Sequence, residues 1–253
     1  MRVLVLGGTS EASALAEMLA ADHRFDAVLS LAGRTANPKL PSIAVRIGGF
    51  GGVDGLVDYV EREQVDVVVD ATHPFAAQMS AHAIAACQRA DVRLIALERA
   101  PWAAIEGDDW RHFSSVEDAI AALPDRPVRV FSGLGRLSLD ALEAAPQHHY
   151  VIRVIDPILR PLALANFCIV TARGPFSTDD DIQLFKEYQI DVVLAKNAGG
   201  AAAVAKIAAA RALGLPVMMI DRPYIPERPV VSSVEAVIDK LAEHHASPAK
   251  RGV

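Results

Sequence analysis

The chain has 253 residues, 52% of them apolar and 22% charged, with a formal net charge of -6. That length exceeds the commonest domain size of about 100–150 residues, and the apolar share is ample for a buried core, which leaves only the C-terminal HASPAKRGV as expected disorder. The negative balance argues against nucleic acid or acidic membrane partners, no run reaches the roughly 18–20 apolar residues of a membrane span, and the opening MRVLVLGG lacks a signal-peptide pattern, so a cytoplasmic protein is expected.

Short apolar runs alternate with amphipathic stretches, the pattern of βα units and mainly parallel sheets. Strands are predicted at Arg2–Leu6, Ala27–Leu31, Ala44–Ile47, Val65–Val69 and Val92–Leu97, with helices between most of them. A second series follows at Val128–Phe131, Tyr150–Val154, Cys168–Thr171, Asp191–Ala195 and Val217–Ile220. The two series share residues as well as rhythm: QVDVVVDATHPFAAQ from Gln64 resembles QIDVVLAKNAGGAAA from Gln189, LERAPW resembles IDRPYI, and SSVEDAIAAL resembles SSVEAVIDKL. Several matches in one order point to internal duplication. The fold expected is therefore α/β, with two similar Rossmann-like domains and a ligand cleft between them. Pro101, Gly107 and Pro124 interrupt the pattern between the series, and the division is placed at residues 1–110 and 111–253. The short segments WRHF and RPVV are candidate edge strands of unassigned sheet. Cys87 and Cys168 stand alone in apolar segments, which supports neither a disulfide nor a zinc site.

In open parallel sheets ligands lie beyond the carboxyl ends of the strands, which directs attention to the first βα turn. Gly7-Gly8-Thr9-Ser10-Glu11-Ala12 is a relaxed form of the dinucleotide fingerprint, with Thr9 in place of the middle glycine. Hydroxyls of Thr9 and Ser10 are candidate phosphate donors, and a plain helix cap is the alternative. After the second strand the sequence VLSLAGRTANP offers no acid for a ribose hydroxyl, and Arg34 is suited to a 2′-phosphate, so NADPH is favoured over NADH. In the second series Ser132, Gly133 and Arg136 of SGLGR occupy the matching turn and are read as donors to cofactor or substrate. Thr72 and His73, Arg99, Arg153, Arg173, Lys196 and Asn197, and Arg222 cluster at predicted strand ends. Such a rim in an acidic protein suggests a local field for an anionic substrate. Gly199 and Gly200 would let backbone approach that ligand closely.

The motifs LGGTSEA, LAGRTANPKLP, RIGGFGG, DATHPFA, RGPF and KNAGG, in that order, closely resemble the precorrin-6A reductase family of cobalamin biosynthesis over nearly the whole chain. The resemblance implies NADPH-dependent reduction of the precorrin-6A macrocycle to precorrin-6B. It also implies an anionic tetrapyrrole as partner, whose acetate and propionate groups match the cationic rim. Thr72 is then shared between cofactor and substrate, and the candidate proton donors are Lys196, His73 and Asp140, with ordered water as a further source. No metal is implied, and a monomer is compatible with the reading. A cobalt-containing ring reduced with NADH is the alternative within the family; a non-catalytic dinucleotide sensor is the alternative outside it. A short-chain dehydrogenase is disfavoured because neither Tyr59, Tyr150, Tyr188 nor Tyr224 is followed four residues later by Lys.

Overall fold

The computed structural model describes residues 1–33 and 41–246 and divides them between two compact units. In the first, β1 (Arg2–Leu6) is a nearly continuous apolar run because both its faces are covered. Val3 and Val5 pack on one side with Leu15 and Leu19 of α1 (Ser10–Ala20), while Leu4 and Leu6 pack on the other with Leu56 and Val60 of α2 (Gly52–Arg62). Each such fully buried aliphatic side chain contributes about 1.5–3 kcal/mol. The remaining strands are β2 (Asp26–Leu31), β3 (Ala44–Ile47), β4 (Val67–Asp70) and β5 (Arg93–Leu97), with α3 (Ala77–Arg89) between the last two. All pair in parallel, and the chain reverses its direction of growth between β1 and β4.

The second unit repeats this order with β7 (Arg129–Ser132), β8 (His149–Val154), β9 (Asn166–Thr171), β10 (Val192–Lys196) and β11 (Val217–Ile220). Its helices α6 (Thr178–Glu187) and α7 (Ala205–Leu213) cover one face through Phe185, Ile207 and Ala210. The duplication reaches fine detail. Backbone N–H groups of Arg2 and Arg129 donate to Asp66 and Asp191 at 2.7 and 2.8 Å, and Gln64 and Gln189 share a left-handed φ of 52° and 51°.

The grouping of the last units departs from the contiguous division expected at residue 110. β6 (Trp110–Phe113) with α4 (Val116–Ala121) follows β5 in the chain but pairs with β11, at the edge of the second sheet. β12 (Val230–Val231) with α8 (Val234–Ala246) follows β11 but pairs with β5, at the edge of the first. The compact units are accordingly residues 1–100 with 224–253, and 101–223. The two exchanged segments share the sequence SSVE where strand passes into helix. Ser115 and Ser233 cap their helices alike, accepting from Asp118 and Ala236 N–H groups at 3.0 and 3.2 Å. Local sequence therefore specifies a strand–cap–helix unit and leaves the choice of sheet to long-range packing.

Candidate functional site

In the first unit β1 runs into Gly7 and Gly8, and α1 begins at Ser10. A Cβ at Gly7 would lie 2.6 Å from Leu29 Cδ1 and would force that side chain to shift, whereas Gly8, at φ +127°, has nothing within 4 Å of that position. Thr9 caps α1 by accepting from the Ala12 N–H at 3.1 Å, and its hydroxyl donates to the Ala71 carbonyl at 2.8 Å. Ser10 donates its hydroxyl to Glu11 at 3.1 Å. Both hydroxyls thus have partners within the chain. The donors the turn presents are its backbone N–H groups, the orphan groups at any helix start. The Glu11 carboxylate is matched by the Arg99 guanidinium at 2.6 Å, so the turn is not left with a net negative charge.

Thr9, Glu11 and Arg99 line a depression with Thr72, Pro74, Leu97 and Glu98, formed where β1, β4 and β5 end. Asp70, 3% exposed, holds Thr72 in place: Oδ1 accepts from the Thr72 N–H at 3.2 Å and from its hydroxyl at 2.7 Å. His73 follows, and its Nδ1 accepts from the Phe75 N–H at 3.2 Å, which places the proton of the neutral ring on Nε2. Pro74 stands in a turn, and α3 starts three residues later, at Ala77. Cys87 in α3 is buried near Asp70, and burial pushes its thiol up to about 12. Arg34 lies outside the described residues.

The second unit treats the matching turn differently. Gly133 lies over the stem of Lys206, whose Cδ would be 3.0 Å from an added Cβ, and Gly135 takes φ +78°. A 3₁₀ turn (Arg136–Ser138) and the four-residue helix α5 (Leu139–Leu142) stand where the first unit has a helix of eleven residues. The Lys196 ammonium donates into this loop, to the Leu134 carbonyl at 3.3 Å and the Ser138 hydroxyl at 3.0 Å. Burial lowers its pKa from the ordinary 10.5. Ser132 is buried at the end of β7, and Arg136 is exposed. Arg136, Leu137, Leu139, Asp140, Ile158, Leu159 and Arg160 surround an open recess in which Leu137 is 70% and Leu159 92% exposed. Asp140 is engaged by Arg160, which also binds Glu143 at 2.6 Å.

The remaining predicted residues divide by role. Asn197, Gly199, Gly200 and Arg222 come together, but around Trp102. Asn197 exchanges two hydrogen bonds with the Trp102 backbone at 2.8 and 3.0 Å, the indole donates to the Gly200 carbonyl at 2.9 Å, and Arg222 donates to the Asn197 and Ala198 carbonyls at 3.0 and 3.1 Å. These contacts hold the KNAGG loop that carries Lys196. Arg153 is 8% exposed, gives both arms to Asp181 at 2.7 and 3.1 Å, and stacks on Phe131 and Phe176. Arg173 is exposed beyond β9. Asp70, Trp102, Lys206 and Arg46 were not singled out in the sequence. Asp70 and Arg46 do lie in conspicuous motifs, DATHPF and RIGGFGG, yet their roles depend on which neighbour they meet. Among the described residues no helix is long and apolar enough to cross a membrane, and no group of His, Cys, Asp or Glu is arranged to hold a metal ion.

Residues 2–242 match the family described as precorrin-6x reductase CbiJ/CobK. A protein of Rhodobacter capsulatus named "Precorrin-6A reductase" is 55% identical over 252 residues, covering 100% of this chain and 99% of its own. One of Sinorhizobium sp with the same name is 48% identical over 98% of this chain and 95% of its own. A solved structure titled "CobK precorrin-6A reductase" superposes with a TM-score of 0.92 at 55% identity, covering 100% of this chain and 99% of that one.

Proposed function

The chain belongs to the precorrin-6x reductase family, oxidoreductases of cobalamin biosynthesis, and from that premise we propose that it reduces metal-free precorrin-6A to precorrin-6B in the cytoplasm, using NADPH. The observation that carries this reading is the full-length family match joined to an open glycine turn at the end of β1. That turn fits a pyrophosphate: Gly7 lets the chain turn tightly, nothing stands above Gly8, and α1 offers its N-terminus. When bound, the nicotinamide supplies the hydride.

The protein's share is to bind, orient and protonate. Backbone N–H groups of Gly8, Thr9, Ser10 and Glu11 take the pyrophosphate, and Arg34 takes the 2′-phosphate. Thr72, held by Asp70, lines the depression at the ends of β4 and β5, and His73, next to it in the chain, offers its Nε2–H. In the second unit the exposed Leu137 and Leu159 suit the apolar face of a macrocycle, and Arg136 and Arg173 suit its carboxylates. Asn197, Gly199, Gly200 and Arg222 serve the substrate by fixing the loop from which Lys196 projects, and Arg153 supports the adjoining strand end. Lys196 is the favoured proton source: burial eases loss of its proton, and its two neutral acceptors hold the ammonium in place. Asp140 is the weaker candidate, since its carboxylate is taken by Arg160.

The test is anaerobic incubation with precorrin-6A and either NADPH or NADH, following nicotinamide oxidation. NADPH should be the better donor, and Arg34→Ala should raise the KM for NADPH much more than that for NADH. Preference for NADH would support the cobalt-ring alternative, and no turnover with either would support a sensor. Lys196→Ala should lower kcat by about 100-fold if the ammonium delivers the proton, the usual scale of general-acid catalysis. His73→Ala should then cost much less.

A further inference from the structure

Arg46 projects from β3 beside Ser30, its register partner on β2. Its guanidinium donates to the Ser30 hydroxyl at 2.8 Å, the Gly48 carbonyl at 3.0 Å and the Gly49 carbonyl at 3.1 Å. The rings of Phe50 and Tyr59 stand 3.8 and 5.1 Å from it and hold its plane. Those bonds occupy three of the five N–H donors of a guanidinium, and all three acceptors are neutral. Among the described residues no carboxylate pairs with Arg46.

The second unit shows how such a charge is satisfied from within. Arg153 holds on β8 the place of Ser30 on β2, since Arg129 and His149 pair as Arg2 and Asp26 do. It stacks 4.1 Å from Phe176, the counterpart of Phe50, and Asp181 takes both its arms. Asp181 is the fourth residue of α6; the fourth residue of α2 is Gly55. A Cβ at Gly55 would lie 1.8 Å from the Phe50 carbonyl oxygen, so no carboxylate can stand there. The first unit therefore keeps a positive charge where the second has buried and neutralised one. That charge sits near the carboxyl ends of β2 and β3, where a dinucleotide's adenosine ribose lies in a sheet of this strand order.

We infer that Arg46, in addition to Arg34, reads the 2′-phosphate of the cofactor through its two remaining donors, an inference that rests on the NADPH reading above. The clamp on Ser30 and the glycine loop keeps those donors pre-positioned, and a planar fork suits phosphate better than a point charge does.

The deciding experiment is calorimetric titration of the full chain with adenosine 2′,5′-bisphosphate and with adenosine 5′-monophosphate. The natural protein should prefer the bisphosphate. Arg46→Ala should weaken the bisphosphate by about tenfold or more, the scale of one lost charge-assisted contact, and leave the monophosphate within about twofold. Arg46→Lys should restore part of the preference. Equal loss for both ligands would reduce Arg46 to a loop clamp, and an undiminished preference in Arg46→Ala would overturn the assignment while leaving the NADPH reading intact. Absence of any preference in the natural protein would instead sink the NADPH reading and the inference with it. Should Arg46→Ala fail to fold, Arg46→Gln, which retains a donor without the charge, carries the same comparison.

Discussion

The turn after β1 and the turn after β7 descend from one plan and are built differently. After β1 the chain opens through Gly8 into an eleven-residue helix capped by Thr9, and the small Ala71 follows the neighbouring strand. After β7 the corresponding glycine is Gly135, the helix is cut to four residues, and Lys196, at the place of Ala71, sends its ammonium into the loop. A helix N-terminus left open attracts an anion, whereas a loop whose carbonyl and hydroxyl already hold a cation does not need one. Duplication thus supplied two similar frames, and a few side chains decided which one keeps an open glycine turn before a long helix.

The comparison is broken or sharpened most strongly at the two arginines. Asp181→Ala leaves Arg153 buried without its partner and should destabilise the protein by about 3–5 kcal/mol in denaturant melts. Arg46→Ala, whose partners are neutral oxygens, should cost only about 1 kcal/mol by the same measurement. Similar losses at both would mean that the two guanidiniums are equally structural.

A matched glycine pair gives a smaller effect. Gly8→Ala and Gly135→Ala each force a side chain into positive φ and should each lose roughly 1–2 kcal/mol of stability. Only Gly8→Ala should also weaken binding of adenosine 2′,5′-bisphosphate. If Gly135→Ala weakens it as much, the second turn has kept more of its nucleotide role than the ammonium suggests.

The smallest effect concerns Lys196 and pH. Its pKa in the folded protein is lowered by burial from 10.5. Between the lowered value and 10.5 the unfolded chain binds more protons than the folded one, so stability attributable to this group rises with pH in that interval. Relative to Lys196→Met, the natural protein should therefore gain stability from neutral to alkaline pH. A flat difference would show that the ammonium is solvated in the folded state.

Much of this was legible in the chain because it is local. The strands at Arg2–Leu6, Ala44–Ile47 and Val217–Ile220 lie where their apolar runs placed them, and Thr9, Ser115 and Ser233 cap helices as their residue types dictate. The cationic rim was less legible. Arg99, Arg153 and Arg222 read alike as charges at strand ends, yet the first meets Glu11, the second is buried on Asp181, and the third clamps the KNAGG carbonyls. A charge's role depends on the partner it finds, and those partners lie 24 to 88 positions away in the chain.

By itself the sequence determined the α/β class, the internal repeat, the glycine turn and the family resemblance, all of which rest on periodicity and short motifs. Only the tertiary structure decided that β6 and β12 change sheets, that Gly55 denies Arg46 an acid, and that Lys196 reaches into the second turn. The reason is physical: backbone propensity acts over a few residues, whereas strand pairing, charge compensation and steric exclusion are settled between segments that meet only when the chain has folded.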